Sequence, residues 1–118
     1  MGRLSPPTIT SAPNKARDTT RKTDITTVRT VLEEYFVNNN VYPAALTDLQ
    51  TGSAPIIKTL PADPKGSPWP AYLYTPANTN STYTLDACLE NDQDNGANVT
   101  ATNMTNCTTK TFELTNGN

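Results

Sequence analysis

The residues best suited to bind a ligand lie in an acidic segment near the carboxyl end of the chain. Its oxygen-bearing side chains are Glu90, Asp92, Asp94 and Asn95. Alternating carboxylate and amide oxygens ahead of a glycine, here Gly96, are ligands that Ca²⁺ prefers. The segment is not an EF-hand loop, because the twelfth position is Thr102, which cannot supply the bidentate carboxylate. The pattern predicts either a weak calcium site at these four residues or a solvated acidic turn.

Catalytic chemistry has little support in the residue inventory. The chain contains no histidine, which removes the commonest general base and the commonest metal ligand together. Two carboxylate pairs stand out, Glu33 with Glu34 and Asp92 with Asp94. Both pairs are expected on surfaces without an apolar lining, so nothing there would raise the pKa of one member into the range of a general acid. We therefore predict that this protein is not an enzyme and needs no cofactor beyond the calcium considered above.

The chain has two cysteines, Cys88 and Cys107, which lie 107 − 88 = 19 positions apart. An even count in a short, loop-rich sequence favours one disulfide in an oxidising compartment, with two free thiols as the alternative. The segment between the cysteines has almost no apolar residues to hold it in place. A disulfide across it would stabilise the fold by about 3 kcal/mol in the loop-entropy model.

Composition limits the partners and the compartment. Nine basic and eleven acidic residues give a net charge of −2, so we expect no nucleic acid partner. No run of about 18 apolar residues is present, and the N-terminus lacks the apolar stretch of a secretory signal. An oxidised domain still has to be exported. We therefore expect the exported part of a longer protein, with residues 1–13 a disordered lead-in or cloning remnant and residues 14–118 one globular domain.

A long amphipathic helix is predicted from about residue 15 to residue 38, with Asn14 as its cap. The apolar residues recur at steps of three and four, at Ile25, Val28, Leu32 and Tyr35, which predicts packing against another element. The residues before Ile25 are mostly charged. The C-terminal half of the helix should therefore pack, and the N-terminal half should project, with surface ion pairs such as Arg17–Asp24 and Asp18–Arg21.

Beyond the helix, asparagines at 38–40 predict its end. A short second helix should follow Pro43, and a proline-rich loop should cover residues 53–70. Alternation of apolar and polar residues predicts strands at 71–75, 82–90 and 108–115. In the middle strand, Asp86 and Cys88 are expected to face outward. The fold class is therefore α+β: a long N-terminal α-helix packed on a three-stranded or slightly larger antiparallel sheet.

The order of short motifs along residues 14–91 resembles the soluble part of type IV pilins and of type II secretion major pseudopilins. The helical residues that carry the resemblance are Lys15-Ala16-Arg17-Asp18, Arg21, Asp24-Ile25, Leu32-Glu33 and Tyr35. The later ones are Asn39-Asn40-Val41-Tyr42-Pro43, Leu46, Leu49, and the run from Ile57 through Leu60-Pro61-Ala62-Asp63-Pro64-Lys65-Gly66. This resemblance implies a pilin-like fold. The family's leader peptide and its apolar first helix-half are not found in residues 1–118.

The resemblance implies a structural role rather than catalysis. The expected function is a subunit of a bacterial type IV pilus, exposed at the cell surface and assembled with identical subunits by a pilus or secretion machinery. Contact with the membrane would be made only through the absent apolar helix. Arg17, Arg21 and Lys22 would lie at the subunit interface, with plain solvation of a charged helix as the alternative. Two other functions remain open: a pseudopilin of a type II secretion system, and a minor pilin that binds like an adhesin.

Overall fold

The computed structural model describes residues 6–51, 55–101 and 104–116. One α-helix and one 3₁₀-helix precede four strands. In chain order the elements are helix α1 (Pro6–Asn39), 3₁₀-helix η1 (Leu46–Gln50), and strands β1 (Leu73–Ala77), β2 (Thr82–Leu89), β3 (Val99–Ala101) and β4 (Lys110–Thr115).

The end of α1 was predicted correctly, but its start was not. Asn40 adopts the left-handed conformation with φ 63°, and its backbone N–H donates to the carbonyl of Phe36 at 2.8 Å. This is the cap that the asparagine run predicts. The helix begins at Pro6, however, rather than near Asn14. Prolines in a first turn lose no helical hydrogen bond because the N–H groups there have no partner, and the helix also accommodates Pro13. The predicted lead-in is therefore helical from residue 6, while residues 1–5 lie outside the described residues.

The four strands form one antiparallel sheet in the order β1-β2-β4-β3. Helix and sheet together confirm the α+β class and the predicted antiparallel pairing. The sheet has one strand more than the three that were located from sequence: β3 pairs with β4, bringing Val99 opposite Phe112. A three-residue strand is too short to show the alternation on which the prediction relied.

The apolar core lies between the inner face of the sheet and α1. The predicted stripe is confirmed: Ile25, Val28 and Leu32 are buried on the helix. The sheet side of the core consists of Tyr83, Leu85, Ala87, Leu89, Phe112 and Leu114. Leu49 of η1 closes one end of this core. Within the described residues, no helix combines the length and apolarity that crossing a bilayer requires.

The outer face of β2 differs from the prediction. Asp86 and Cys88 alternate outward as expected, yet both are buried, with exposed fractions of 5% and 1%. Residues of the segment that precedes β4 cover part of this face, where Met104 and Cys107 pack on Cys88. Alternation along one strand identifies which face a residue occupies, but whether a distant loop covers that face is a long-range property.

Candidate functional site

A buried arginine is the centre of a charged cluster that fixes α1 to two loops. Arg21 has no solvent exposure. Its guanidinium makes a bidentate contact with Asp63, with Nε to Oδ2 at 2.7 Å and Nη2 to Oδ1 at 3.0 Å. Its Nη1 donates to Asp18 at 2.8 Å and to Glu90 at 2.7 Å. The planar fork of arginine suits such a multiple contact, which a lysine could not reproduce.

The acidic partners of Arg21 have further contacts that complete the cluster. Asp18 accepts the backbone N–H groups of Glu90 and Asn91 at 2.8 and 2.9 Å. Glu90 also accepts two bonds from Arg17, at 2.5 and 2.7 Å. We name the group Arg17, Asp18, Arg21, Asp63 and Glu90 the charged clamp. It joins the helix to the proline-rich loop and to the chain that leaves β2.

The charges in the clamp shift pKa values in opposite directions. The hydrogen bond from Arg17, followed by that from Arg21, lowers the pKa of Glu90 to about 2 against the opposing effect of burial. Burial by itself would lower the pKa of Arg21, but the hydrogen bonds that Arg21 donates to Asp63, Glu90 and Asp18 outweigh it and raise the pKa above its usual value. Arg21 and Glu90 therefore remain charged at neutral pH.

The clamp corrects two expectations about the first helix. Arg21 was expected at a subunit interface, but a fully buried guanidinium has no surface to offer a neighbour. Arg17 contacts Glu90 rather than Asp24, whose carboxylate instead accepts the hydroxyl of Tyr72 at 2.7 Å. Arg17 and Lys22 keep about a third of their side-chain surface exposed, 31% and 32%. These two residues are the interface candidates that still reach the surface.

A signal for the clamp is present in the spacing. Asp18 and Arg21 extend the stripe of Ile25, Val28 and Leu32 backward with the same steps of four and three. They therefore lie on the packed face of the helix rather than on its solvated face. Opposite charges that continue an apolar stripe indicate a buried pair, whereas charge alone had indicated exposure.

Trp69 lies beside the clamp and fixes the proline-rich loop onto the sheet. Its indole Nε1–H donates to the carbonyl of Cys88 at 2.9 Å, and its ring packs on the cluster around the disulfide. The guanidinium of Arg21 lies 5.2 Å from the ring centroid, and the ammonium of Lys65 lies 4.7 Å from it. Both distances fall within cation–π range. Trp69 thus anchors the proline-rich loop to β2.

The acidic segment distributes its oxygens among cations of the chain itself. Lys22 donates to Asp94 at 2.7 Å and lowers the pKa of that carboxyl group. Lys110 donates to the amide oxygen of Asn95 at 3.2 Å, and Glu90 belongs to the clamp. Within the described residues, no group of three or more Cys, Asp or Glu side chains could hold a metal ion together. Calcium at Glu90, Asp92, Asp94 and Asn95 stays a prediction.

The outer face of the sheet holds a second, smaller titratable group. Asp86 on β2 lies directly opposite Glu113 on β4. Burial first, and then the neighbouring Glu113, raise the pKa of Asp86 to about 7. Within the described part of the chain, neither Asp86 Oδ1 nor Thr111 Oγ1 has a hydrogen-bond partner, although both are buried. The buried carboxyl group of Asp86 therefore keeps its proton more readily than an exposed aspartate does.

A third polar group lies at the other end of the core. The carboxylate of Glu33 accepts hydroxyl groups from Tyr42 at 2.9 Å and from Tyr83 at 2.8 Å. Burial and this carboxylate raise the pKa of Tyr42 to about 12 and raise that of Tyr83 as well. Both tyrosines therefore remain neutral hydrogen-bond donors at physiological pH. The contact joins α1, β2 and the segment that follows α1.

The predicted cysteine pairing is observed. Cys88 and Cys107 form a disulfide with their Cα atoms 5.7 Å apart. The bond connects the outer face of β2 to the segment that leads into β4. Together with the clamp, it fixes both ends of the polar loop that was expected to need such support. The charged clamp and the disulfide link the helix, the loops and the sheet to one another. The charged side chains of the clamp and Asp94 are paired with other residues of the same chain.

Comparison of the chain with protein-family models, with curated proteins and with solved structures finds no match.

Proposed function

We propose that this chain is the globular part of a type IV pilin-like subunit, a structural component of a bacterial surface filament. The observation that carries the proposal is the mismatch between the length of α1 and the length of its buried stretch. The helix has 34 residues, or about 51 Å at 1.5 Å per residue. Among the side chains of α1 whose burial is described, those of residues 13–39, the buried positions lie between Asp18 and Leu32, a span of about 21 Å on the same measure.

The shape of the domain supports this proposal. Its dimensions are 53 × 29 × 25 Å, so the long axis is close to the length of α1. At its N-terminal end the described side chains of Lys15 and Ala16 are exposed. A helix that extends past its own core leaves one end for contact with other chains. In a filament, that end would lie among the corresponding helices of neighbouring subunits.

The exposed side of α1 is suited to close packing. Thr19, Thr20, Thr26 and Thr30 are exposed, and each hydroxyl donates to a carbonyl one turn earlier in the helix. Their hydrogen-bonding needs are therefore met within the helix, and small side chains permit a close approach of another backbone. We propose that this threonine face, with Arg17 and Lys22 at its border, contacts identical subunits.

A type II secretion pseudopilin is the alternative that a specific observation favours. The loop from Asp63 to Gly66 is the part of the resemblance shared with major pseudopilins. Gly66 adopts φ 73°, and Asp63 fixes the loop to α1 through Arg21. The contact with Arg21 thus fixes this loop to the helix. A pseudopilus would remain in the cell envelope and would support protein export instead of forming a long surface filament.

The proposal is tested in cells that make the native protein. Surface filaments are sheared from the cells, collected by sedimentation and analysed by mass spectrometry. A pilin contributes peptides in stoichiometric amount to this fraction. A pseudopilin stays with the cells, and its deletion stops export of secreted proteins. A chain that is found in neither role would contradict the proposal.

A pair of matched variants tests the proposed contact face. Thr23→Arg places a large charge on the exposed side of α1, and we expect it to abolish filaments without changing the unfolding midpoint of the domain. Thr47→Arg makes the same change on the exposed surface of η1, and filaments should form normally. Equal assembly of both variants would exclude this face as the interface.

A further inference from the structure

The chain contains two Asn-Gly pairs, Asn95-Gly96 and Asn116-Gly117. We infer that Asn95 is a site of spontaneous covalent modification, at which folding promotes conversion of the asparagine to aspartate or isoaspartate. The reaction is displacement of the side-chain ammonia by the backbone nitrogen of Gly96. This inference does not depend on the proposed function.

The first support for the site is the cation at the reacting amide. The ammonium of Lys110 donates to Asn95 Oδ1 at 3.2 Å. When a nucleophile adds to an amide, negative charge develops on that oxygen. A fixed positive charge at hydrogen-bond distance stabilises the developing oxyanion, as donors in oxyanion holes do.

The second support is a carboxylate at the attacking nitrogen. The backbone N–H of Gly96 donates to Asp94 Oδ1 at 2.8 Å. This distance lies within the reach that a general base needs to remove a proton. Lys22 holds the other carboxylate oxygen at 2.7 Å, which fixes Asp94 in its ionised form. The two charged groups thus contact the two ends of the reacting pair.

The space around Gly96 and the attack by its nitrogen both favour a residue without a side chain. A Cβ atom at position 96 would lie 3.1 Å from Asp94 Oδ1 and 3.5 Å from Lys22 Nζ. A side chain there would push against the carboxylate that holds the N–H. Without a side chain, the nitrogen stays open to the neighbouring amide. Asn95 and Gly96 are both exposed, so water reaches the product of the first step.

Each step balances without an added reagent other than water. A bond forms between the Gly96 nitrogen and Asn95 Cγ, and the bond from Cγ to Nδ2 breaks. The proton from the Gly96 nitrogen passes through Asp94 to the leaving group, which departs as ammonia. The resulting succinimide is opened by water at either carbonyl. Opening gives aspartate, or isoaspartate with one additional carbon in the backbone.

Asn116 provides an internal comparison. Its side-chain oxygen accepts the backbone N–H of Tyr83 at 3.1 Å, so its amide is held by a neutral donor of the sheet. Gly117 lies outside the described residues. Trypsin separates the two sites, because cleavage after Lys65 and Lys110 yields one peptide of residues 66–110 and another of residues 111–118.

The experiment follows both peptides by mass spectrometry while the oxidised protein is incubated at neutral pH, with reduced and denatured protein as the unfolded reference. We expect Asn95 to gain one mass unit faster in the folded than in the unfolded protein, and Asn116 to react more slowly when folded. Protection of Asn95 by folding would overturn the inference. A loss of ammonia with Lys110 covalently joined to Asn95 would also overturn it.

Variants identify the groups that act on the amide. Asp94→Ser and Lys110→Met should each slow the reaction at Asn95 roughly tenfold, the change expected for one lost charge-assisted hydrogen bond. Because Lys110→Met lacks the cleavage site after residue 110, fragment ions of its peptide of residues 66–118 locate the mass gain at Asn95 or Asn116. Lys58→Met is the matched control, because it makes the same lysine-to-methionine change at an exposed residue of the proline-rich loop, and it should not slow the reaction. Unchanged rates in Asp94→Ser and Lys110→Met would overturn the assignment.

Discussion

Two consecutive segments of α1 face the sheet, and they are held by different forces. The apolar segment, from Ile25 to Leu32, buries hydrocarbon against β2 and β4. The charged segment, from Arg17 to Arg21, is attached by the charged clamp. Arg21 and Leu32 have the same exposed fraction, 0%, so burial alone does not distinguish the segments. What differs is how each responds when one partner is removed.

When apolar side chains are shortened, the loss of stability grows with the volume of the groups removed. A buried ionic cluster loses much of its stability as soon as one partner is removed, because the remaining charges are left unpaired. Removing a methyl group from the apolar segment leaves a small cavity. Removing the guanidinium from the clamp leaves several carboxylates without their cation in a region shielded from water. The charged segment therefore contributes less through the net strength of its bonds than through the penalty for breaking them. It specifies the register of the helix on the two loops.

The largest effect is expected for Arg21→Met. The variant leaves Asp63 and Asp18 without their cation, and we expect a loss of about 3–5 kcal/mol in the free energy of unfolding. Leu32→Ala should cost about 2–5 kcal/mol through cavity formation. Urea unfolding at neutral pH and at about pH 2 separates the two mechanisms. The Arg21→Met penalty should shrink in acid, where carboxylates gain protons, while the Leu32→Ala penalty persists. Equal penalties at both pH values would contradict the comparison.

Removal of the disulfide should have the next largest effect. The double variant Cys88→Ser/Cys107→Ser should lose about 3 kcal/mol, because the unfolded chain gains the freedom of a 19-position loop. Thermal unfolding with and without reductant provides the measurement. Reductant should lower the unfolding midpoint of the native protein and leave the double variant unchanged. An unchanged midpoint for the native protein would show that the loop is held by the clamp alone.

Stability should depend on pH through two groups of opposite sign. The pKa of Glu90 falls to about 2 from 4.5, so its contribution is present above about 4.5 and is lost as pH falls toward about 2. The pKa of Asp86 rises to about 7 from 3.8, so its contribution is present below about 3.8 and is lost as pH rises toward about 7. From these two groups, stability should peak between about pH 4 and pH 5.

Two substitutions test the assignment of this profile. Asp86→Asn should remove the decline between about pH 4 and pH 7, since the amide does not titrate. Glu34→Gln, on the exposed side of α1, should leave the profile of the native protein unchanged. Urea midpoints measured across this range decide the matter. A decline that persists in Asp86→Asn would assign it to another group.

The smallest effect is expected for Lys22→Met. Lys22 pairs with Asp94, but about a third of its side chain is exposed. Pairs screened by solvent contribute about 0.2–1 kcal/mol. The loss should therefore stay below about 1 kcal/mol and should diminish in high salt. A loss as large as that of Arg21→Met would mean that the charged segment extends to Lys22.

Local regularity explains what could be predicted from the sequence. The stripe of Ile25, Val28 and Leu32 predicted the packed helix, and alternation from Tyr83 to Leu89 predicted the central strand. Asn40 marked the end of α1 because a left-handed residue is needed there. Each of these features depends on residues within one or two turns of each other. The turn that contains Gly66 also depends only on residues close together in the chain.

Long-range pairing explains what could not be predicted. The bond between Arg21 and Asp63 joins residues 42 positions apart, and the contact of Asp18 with the backbone at Asn91 joins residues 73 positions apart. No local period reports such contacts, so the charges of α1 were interpreted as a solvated face. Strand β3 was missed for a different reason, since three residues are too few to show alternation. Asp86 lies opposite Glu113 of β4, which is 113 − 86 = 27 positions later in the chain.

The position of Trp69 makes the charged end of the molecule visible to spectroscopy. It is the single tryptophan of the chain, and it contacts the disulfide cluster and two cations. The tyrosines Tyr42 and Tyr83 instead lie around Glu33 at the opposite end of the core. Selective excitation of the indole therefore reports on the charged clamp, without a contribution from Tyr42 and Tyr83. Tryptophan fluorescence can therefore follow the charged segment of α1 in the unlabelled protein.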